Sequence, residues 1–341
     1  MFKPLSPREL RERISAVPRV HLAHVPTPVE HCPRLTGELG GPRVFIKRDD
    51  CTGLAFGGNK TRILEFTVAQ ALRQGADVLI GGAGSQSNHC RQLAAAAVKT
   101  GVDCALVLAK DDKSSSVQGN LLLDSILGAA VEIVEVDSIE HLDDAKRQLA
   151  ERLKSAGRKP FVVMQSALRH FGAMGYALCM AELVEQFRES GEKLDTVIVC
   201  SSSATQPGLI FANKVMGTGA RIIGIAPIKW SYDIKEAFLQ ILHKMAGVLD
   251  LGVSFLPEDI VNLDSYIGDR GYGFPSARGN EALSLMARTE GIILDPIYSA
   301  KALAALIDLI QREEIDARET VVFVHTGGTP AIFAYAEELS V

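Results

Sequence analysis

The residues able to do chemistry cluster where short apolar runs break into loops. From Lys47 to Arg62, a charged run (Lys47-Arg48-Asp49-Asp50) closes one such stretch, a loop with Gly53, Gly57 and Gly58 follows, and Lys60 stands where a helix begins. A lysine at the positive end of a helix dipole, with no acid beside it, is electrostatically out of place. Its amine pKa is expected to fall, and a neutral amine is a Schiff-base nucleophile. A solvent-exposed lysine opening a helix is the plainer alternative, and on residue type alone the commoner one.

Other segments share the strand–loop–helix form. Gly81 to Gln92 contains Gly84-Ser85-Gln86-Ser87-Asn88-His89. Its glycines hint at a dinucleotide turn, but Ser87 stands where the last glycine of GxGxxG belongs and no matched acidic residue follows, which argues against a nucleotide-binding Rossmann protein. Ser87 and Asn88 can cap a helix, and the backbone N–H groups there can receive an anion. Val199 to Leu209 contains Ser201-Ser202-Ser203-Ala204-Thr205, readable as a serine-rich cap or an anion cradle. Arg169 to Tyr176 carries Gly172 and Gly175; Gly271-Tyr272-Gly273-Phe274-Pro275 is turn-rich. Glu290 to Lys301 includes Asp295-Pro296-Ile297-Tyr298-Ser299, and Phe323 to Ala331 includes His325-Thr326-Gly327-Gly328. Neither the six cysteines nor the pair His21 and His24 have metal-site spacing.

These loops need elements to hold them. β-branched runs predict strands at Val44–Lys47, Asp77–Gly81, Asp103–Leu108, Val131–Val136, Phe161–Gln165, Thr196–Cys200, Arg221–Ala226 and Val321–His325. Amphipathic patterns predict helices at Thr61–Gln74, Asn88–Thr100, Asn120–Leu127, Leu142–Ser155, Phe171–Glu189, Thr205–Met216, Ser276–Glu290 and Ala300–Arg312, with a final helix after Gly328. Alternation of this kind implies an α/β fold with mainly parallel sheets covered by helices, and a ligand crevice at the strands' carboxyl ends. Length allows two domains.

The composition, 47% hydrophobic and 23% charged over 341 residues, is that of a globular chain. A net charge of −5 gives no global reason to bind nucleic acid or an anionic membrane. No signal peptide, transit peptide or membrane span is read, and the cysteines read as reduced thiols, so the cytoplasm is the expected compartment.

Taken together and in order, the motifs Lys47–Arg62, Gln86–Gln92, Arg169–Tyr176, Glu290–Lys301 and His325–Gly328 resemble the pyridoxal-phosphate-dependent 1-aminocyclopropane-1-carboxylate deaminase and D-cysteine desulfhydrase family, of the tryptophan-synthase-β-like fold type II. The resemblance implies two three-layer α/β/α domains, residues 1–52 with 166–341 forming a large cofactor-binding domain and 53–165 a small one. It implies pyridoxal 5'-phosphate as cofactor, with Lys60 as the Schiff-base lysine. Asn88 would meet the phenolic oxygen, Ser201, Ser202, Ser203, Ala204 and Thr205 the phosphate, and Thr326 would lie under the ring. Ser87 and Tyr298 would act in catalysis, and Ser85, Gln86, Ser87, Asn88 and Tyr298 would face a small amino acid substrate. A homodimer is implied as well. The chain departs from the family where serines and alanine replace loop glycines at 201–204, and where His170 stands in place of proline.

In the deaminase branch a glutamate follows the tyrosine of the Asp-Pro-x-Tyr motif. Here Ser299 follows Tyr298, and Thr326 follows His325, which points to the desulfhydrase-like branch. A neutral hydroxyl at the ring nitrogen makes a weaker electron sink, sufficient when a good leaving group departs from Cβ. The expected reaction is therefore α,β-elimination, with freed Lys60 or Tyr298 as general base. Ring-opening of the cyclopropane amino acid is the alternative. Ser85 and the serine loop suggest a wetter pocket, and hence a polar β-substituent as in serine or cysteate. A cofactor-binding protein without catalysis is the minor reading.

Overall fold

The computed structural model describes residues 2–137, 141–163 and 166–339. Its strands are β1 (Val29–His31), β2 (Arg43–Lys47), β3 (Val78–Gly84), β4 (Asp103–Ala109), β5 (Ala130–Val134), β6 (Pro160–Val162), β7 (Thr196–Cys200), β8 (Arg221–Ile225), β9 (Val261–Leu263) and β10 (Thr320–Val324). They form a six-stranded sheet in the order β1-β2-β10-β7-β8-β9 and a four-stranded sheet in the order β5-β4-β3-β6. All pairs are parallel except β1 with β2. β7 and β10, central in the large sheet, are buried throughout, as strands covered on both faces must be.

The helices are α1 (Pro7–Ile14), α2 (Pro33–Leu39), α3 (Asn59–Arg73), α4 (Asn88–Thr100), α5 (Gly119–Ile126), α6 (Leu142–Ser155), α7 (Arg169–Ser190), α8 (Thr205–Met216), α9 (Ile234–Val248), α10 (Ala277–Glu290) and α11 (Ser299–Gln311). α1, α7, α8 and α9 cover one face of the large sheet; α10 and α11 cover the other. α3 and α4 cover one face of the small sheet, and α6 the other. None of the helices is long and apolar enough to cross a membrane among the described residues.

α3, α7 and α8 approach closely, and glycines permit it. A Cβ on Gly175 would lie 2.3 Å from the Arg62 carbonyl oxygen, and one on Gly208 would lie 2.2 Å from that of Ala173. This fixes the helix that carries Lys60 against the helix that follows the serine loop.

Several expectations need adjustment. The sequence patterns miss β1 and β9, three-residue strands too short to show alternation, and α1, α2 and α9. The run after Gly328 is a 3₁₀ segment, Thr329–Glu338, not an α-helix. The strand expected at Phe161–Gln165 begins at Pro160 and ends at Val162, and its last two residues lie outside the described ones.

Candidate active site

The carboxyl ends of β3, β7, β8 and β10 converge on one cleft of about 390 Å³, as the switch-point rule for open α/β sheets leads one to expect. Its wall includes Lys60, Ser87, Asn88, Ser201–Thr205, Tyr298 and Thr326. Lys60 is the second residue of α3. It is half-buried, and desolvation lowers its amine pKa, with the nearby Cys200 side chain acting weakly the other way. The exposed-lysine alternative is thereby set aside.

The loop before Lys60 crosses the loop after β10 at closest range. Gly58 has φ +122° and Gly327 φ +83°, and a Cβ on Gly327 would sit 2.6 Å from the Gly58 Cα. The Asn59 amide donates to the Thr326 carbonyl at 3.0 Å, and the Asn59 side chain donates to Thr205 Oγ1 at 3.1 Å. One residue beside the lysine thus ties together the Thr326 loop and the start of α8.

Behind α3 lies a buried ionic network. Arg62 donates to both Asp49 oxygens at 2.9 Å and to both Glu182 oxygens at 2.8 Å. Lys47 Nζ donates to Glu182 at 3.0 Å, and the Tyr176 hydroxyl to Asp49 at 2.6 Å. Lys47 and Asp49 of the charged run therefore serve position: with Arg62 and Glu182, two cations and two carboxylates brace the helix two residues beyond Lys60.

Ser87 caps α4, its Oγ accepting from the Cys90 amide at 3.2 Å, which leaves its own proton free to donate. Asn88 Oδ1 accepts from Asn120 at 2.8 Å, which turns its NH₂ the other way. Ser85 and Gln86 are placed differently from expectation. Neither lines the cleft. The Ser85 hydroxyl donates to Asp111 at 2.6 Å, and Gln86 is held by the Asn120 amide and the Gln118 carbonyl. The wetter pocket inferred from Ser85 loses its basis.

In the serine loop, Ser201 Oγ accepts from the Gln206 amide at 2.9 Å. Ser202 and Ser203 are half-buried on the cleft wall, and Ala204 caps α8 with no side-chain bond. Among the described residues, nothing claims the backbone N–H groups of residues 202–205. Unclaimed amides at a helix start are an anion cradle, so a phosphate fits there without loop glycines.

The Tyr298 hydroxyl is 2.7 Å from that of Tyr272. Burial pushes the Tyr298 phenol well up, and the Tyr272 and Asp295 side chains add to it. Asp295 organises this corner, accepting from the amides of Ile297, Tyr298 and Ser299 and from the Ser299 hydroxyl at 2.5 Å. Ser299, the first residue of α11, is consequently tied to Asp295 and buried away from the cleft; of the two hydroxyls singled out in the sequence, Thr326 is the one on the wall.

Further wall residues that were not anticipated include Tyr272, His89, Cys200 and Lys146. Tyr272 had a signal, its turn-rich segment. His89 directly follows Asn88, but nothing local marks its ring as facing the cavity. Among the described residues no group of three or more His, Cys, Asp and Glu residues suits a metal.

A desolvated lysine in a crevice between two parallel α/β sheets, with an anion cradle at the adjoining helix, defines a class: enzymes that hold pyridoxal phosphate through a Schiff base and backbone amides. The chain matches the model for the pyridoxal-phosphate dependent enzyme family over residues 20–327 and belongs to that family. It is 36% identical over 330 residues to a D-cysteine desulfhydrase of Yersinia enterocolitica, covering 96% of this chain and 98% of that one. It is 37% identical over 326 residues to a D-cysteine desulfhydrase of Salmonella typhi, covering 94% and 97%. The fold is similar to a solved 1-aminocyclopropane-1-carboxylate (ACC) deaminase homologue, with TM-score 0.88, 32% identity and coverage of 97% and 98%. A threonine deaminase of Solanum lycopersicum, with TM-score 0.65 and 16% identity over 99% of this chain and 91% of that one, shares the fold.

Proposed function

We propose that the protein is a lyase that removes the β-substituent of a small amino acid by α,β-elimination, as a D-cysteine desulfhydrase does. The observation that carries this is the pairing, in one cleft, of an amine lowered by desolvation (Lys60) and a phenol raised by it (Tyr298). When bound, pyridoxal phosphate supplies an electron sink conjugated to the substrate Cα. The amides of residues 202–205 would hold its phosphate, the Asn88 NH₂ would donate to its phenolic oxygen, and the neutral Thr326 hydroxyl would serve its ring nitrogen.

Lys60 accepts the Cα proton, being the group whose neutral form burial favours. Tyr298, fixed by Tyr272, keeps its proton and can give it to the departing group. Ser87 donates to the substrate carboxylate. The Cα–H and Cβ–substituent bonds break, and the substituent leaves with its bonding pair. The released enamine takes up water to give pyruvate and ammonia. Ring-opening deamination is the second activity to assay, since one solved neighbour is an ACC deaminase homologue.

The same reading takes residues 53–165 as the smaller domain, which is supported by their containing β3, β4, β5 and β6. It takes the working form as a cytoplasmic homodimer. Six free cysteines suit a reducing compartment, and the exposed Leu122, Ile126 and Phe333 on neighbouring segments suit a subunit contact.

The test combines spectrum and turnover. The holoenzyme should show a violet-edge absorption band that borohydride abolishes. Pyruvate release should be followed with D- and L-cysteine, serine, cysteate and the cyclopropane amino acid. Lys60→Ala should lose both the borohydride-sensitive band and turnover; retained turnover would sink the assignment.

A further inference from the structure

We propose that the solvent side of this cleft is an anion subsite, built by Lys146 and Arg169, which recognises a second negative group on or beyond the substrate's Cβ. The inference rests on the elimination reading and names its substrate class: amino acids carrying a carboxylate, sulfonate or phosphate in addition to the α-carboxylate.

The cleft wall holds polar groups that the Lys60 chemistry does not use. Lys146 on α6, Arg169 at the start of α7, and Trp230 and Tyr232 after β8 all line it. Tyr232 is 38% exposed, which places this group toward solvent. Trp230 stacks on Tyr232 with ring centroids 5.4 Å apart.

What these side chains have in common is unspent donor capacity. Trp230 Nε1 is buried with no acceptor among the described residues. Among the described residues, Arg169 has one polar contact, a long 3.4 Å donation to the Tyr232 hydroxyl. Lys146 is 5% exposed, and its ion-pair partner is Asp143 at 2.5 Å, whose own side chain is mostly exposed. A donor withheld from water and left without an acceptor, as Trp230 Nε1 is, is costly, and an acceptor ligand relieves that cost. Guanidinium and ammonium groups on the same cleft wall as an indole N–H suit an oxyanion.

Charge agrees with this. The described wall residues of the group carry two cations, Lys146 and Arg169, against one carboxylate, Asp143. His89 adds no charge, since burial, with Lys60 and Lys146 nearby, pushes its imidazole down to about 3. Its unpartnered Nε2 also faces this space. The excess cation is not needed for the cofactor, whose phosphate has the unclaimed amides of residues 202–205. A thiol leaving group would not use it either.

The buried lysine has been given room. A Cβ on Gly82 would lie 3.2 Å from Lys146 Cδ and 2.5 Å from the Val107 carbonyl oxygen. The glycine lets the lysine stem lie flat on β3 and reach the cleft.

Trp230 is the one tryptophan of the chain, so intrinsic fluorescence reports on this subsite. The holoenzyme is titrated with inorganic sulfate, with chloride at matched ionic strength as the control. A saturable change in emission with sulfate alone is expected. Lys146→Met and Arg169→Met should each weaken it at least tenfold while leaving cofactor content, read from absorbance, unchanged. The same variants should raise KM for cysteate at least tenfold more than KM for D-cysteine.

No sulfate-specific response overturns the proposal. So does loss of cofactor affinity in both variants, which would assign the cations to the phosphate. An equal rise in KM for both substrates overturns it as well. Absence of pyruvate from every substrate, with the fluorescence response intact, would instead refute the elimination reading and leave the anion subsite standing.

Discussion

Replacing Asp49 with asparagine tests whether charge balance in the buried network holds the lysine helix in place. Asp49 is fully buried and accepts from Thr27 Oγ1 at 2.8 Å, Arg62 Nε and Nη2 at 2.9 Å, and the Tyr176 hydroxyl at 2.6 Å. Burial alone would raise its carboxyl pKa, but Arg62, then Lys47 and Tyr176, outweigh burial and hold it below the ordinary range. Asparagine keeps the shape and removes the charge. Lys47 and Arg62 are then left with Glu182 as their one buried counterion. Breaking a buried pair from one side costs about 3–5 kcal/mol, because the remaining charge stays desolvated. Against a total stability of about 5–15 kcal/mol, that is a large share. Urea unfolding of the holoenzyme at fixed excess cofactor should show a lower midpoint with unchanged slope. Removing Arg62 as well, in Asp49→Asn/Arg62→Met, leaves Lys47 and Glu182 paired and should recover part of the loss. A single-variant loss below about 1 kcal/mol, or a double variant no better than the sum of its singles, would refute the charge-balance argument.

Asp124 offers a pH test. It is buried, both its oxygens lack hydrogen-bond partners among the described residues, and burial pushes its carboxyl up to about 7, with Arg91 opposing. The folded state therefore binds this proton more tightly than the unfolded state does. The penalty is absent below about pH 4, grows between pH 4 and 7, and is constant above. Asp124→Asn should be more stable than the parent at pH 8 by about 1–4 kcal/mol, with the gap closing near pH 4; urea midpoints at the two values check it. Gly175→Ala should cost at least about 1–3 kcal/mol, since its Cβ would lie 2.3 Å from the Arg62 carbonyl oxygen. Because Arg62 lies two residues from Lys60, cofactor affinity should fall with thermal stability, and a variant losing only stability would show that the contact does not position the lysine.

Much of this architecture was legible from local pattern. β7 and helices α4, α6 and α8 fall at the residues that periodicity marks, because each is long or apolar enough to declare its repeat. The three-residue edge strands β1 and β9 do not, and α1 and α2 are too short for a repeat to show. Within the site, Lys60 could be found from its position at a helix start, but the reason its pKa falls is tertiary. The same holds for Ser85 and Ser299, whose types suggested pocket polarity or a ring partner. Asp111 and Asp295, 26 and 4 residues away, take those hydroxyls. A hydroxyl's role depends on its nearest acceptor, and sequence spacing does not reveal that partner.

Lys60 and Tyr298 are moved apart in charge preference by one cause. Withdrawal from water disfavours the ammonium and the phenolate alike, so the amine is pushed toward acceptor and the phenol is kept as donor. Desolvation leads in both, with Tyr272 and Asp295 adding to the phenol's shift, so the tuning depends on the cleft remaining dry. The cleft lies between two sheets, with Gly82, Ala83, Ser87 and Lys146 from the smaller-sheet side facing Ser201–Thr205, Trp230 and Tyr298 from the other. Separation of the two sides would rehydrate both groups, returning Lys60 toward an ammonium and easing the constraint on Tyr298. Proton transfer in the proposed elimination would therefore need the two sides held together as they are in this structure. A ligand whose second charge engages Lys146 and Arg169 together would bridge the two sides and favour that arrangement, linking substrate recognition to the availability of the base.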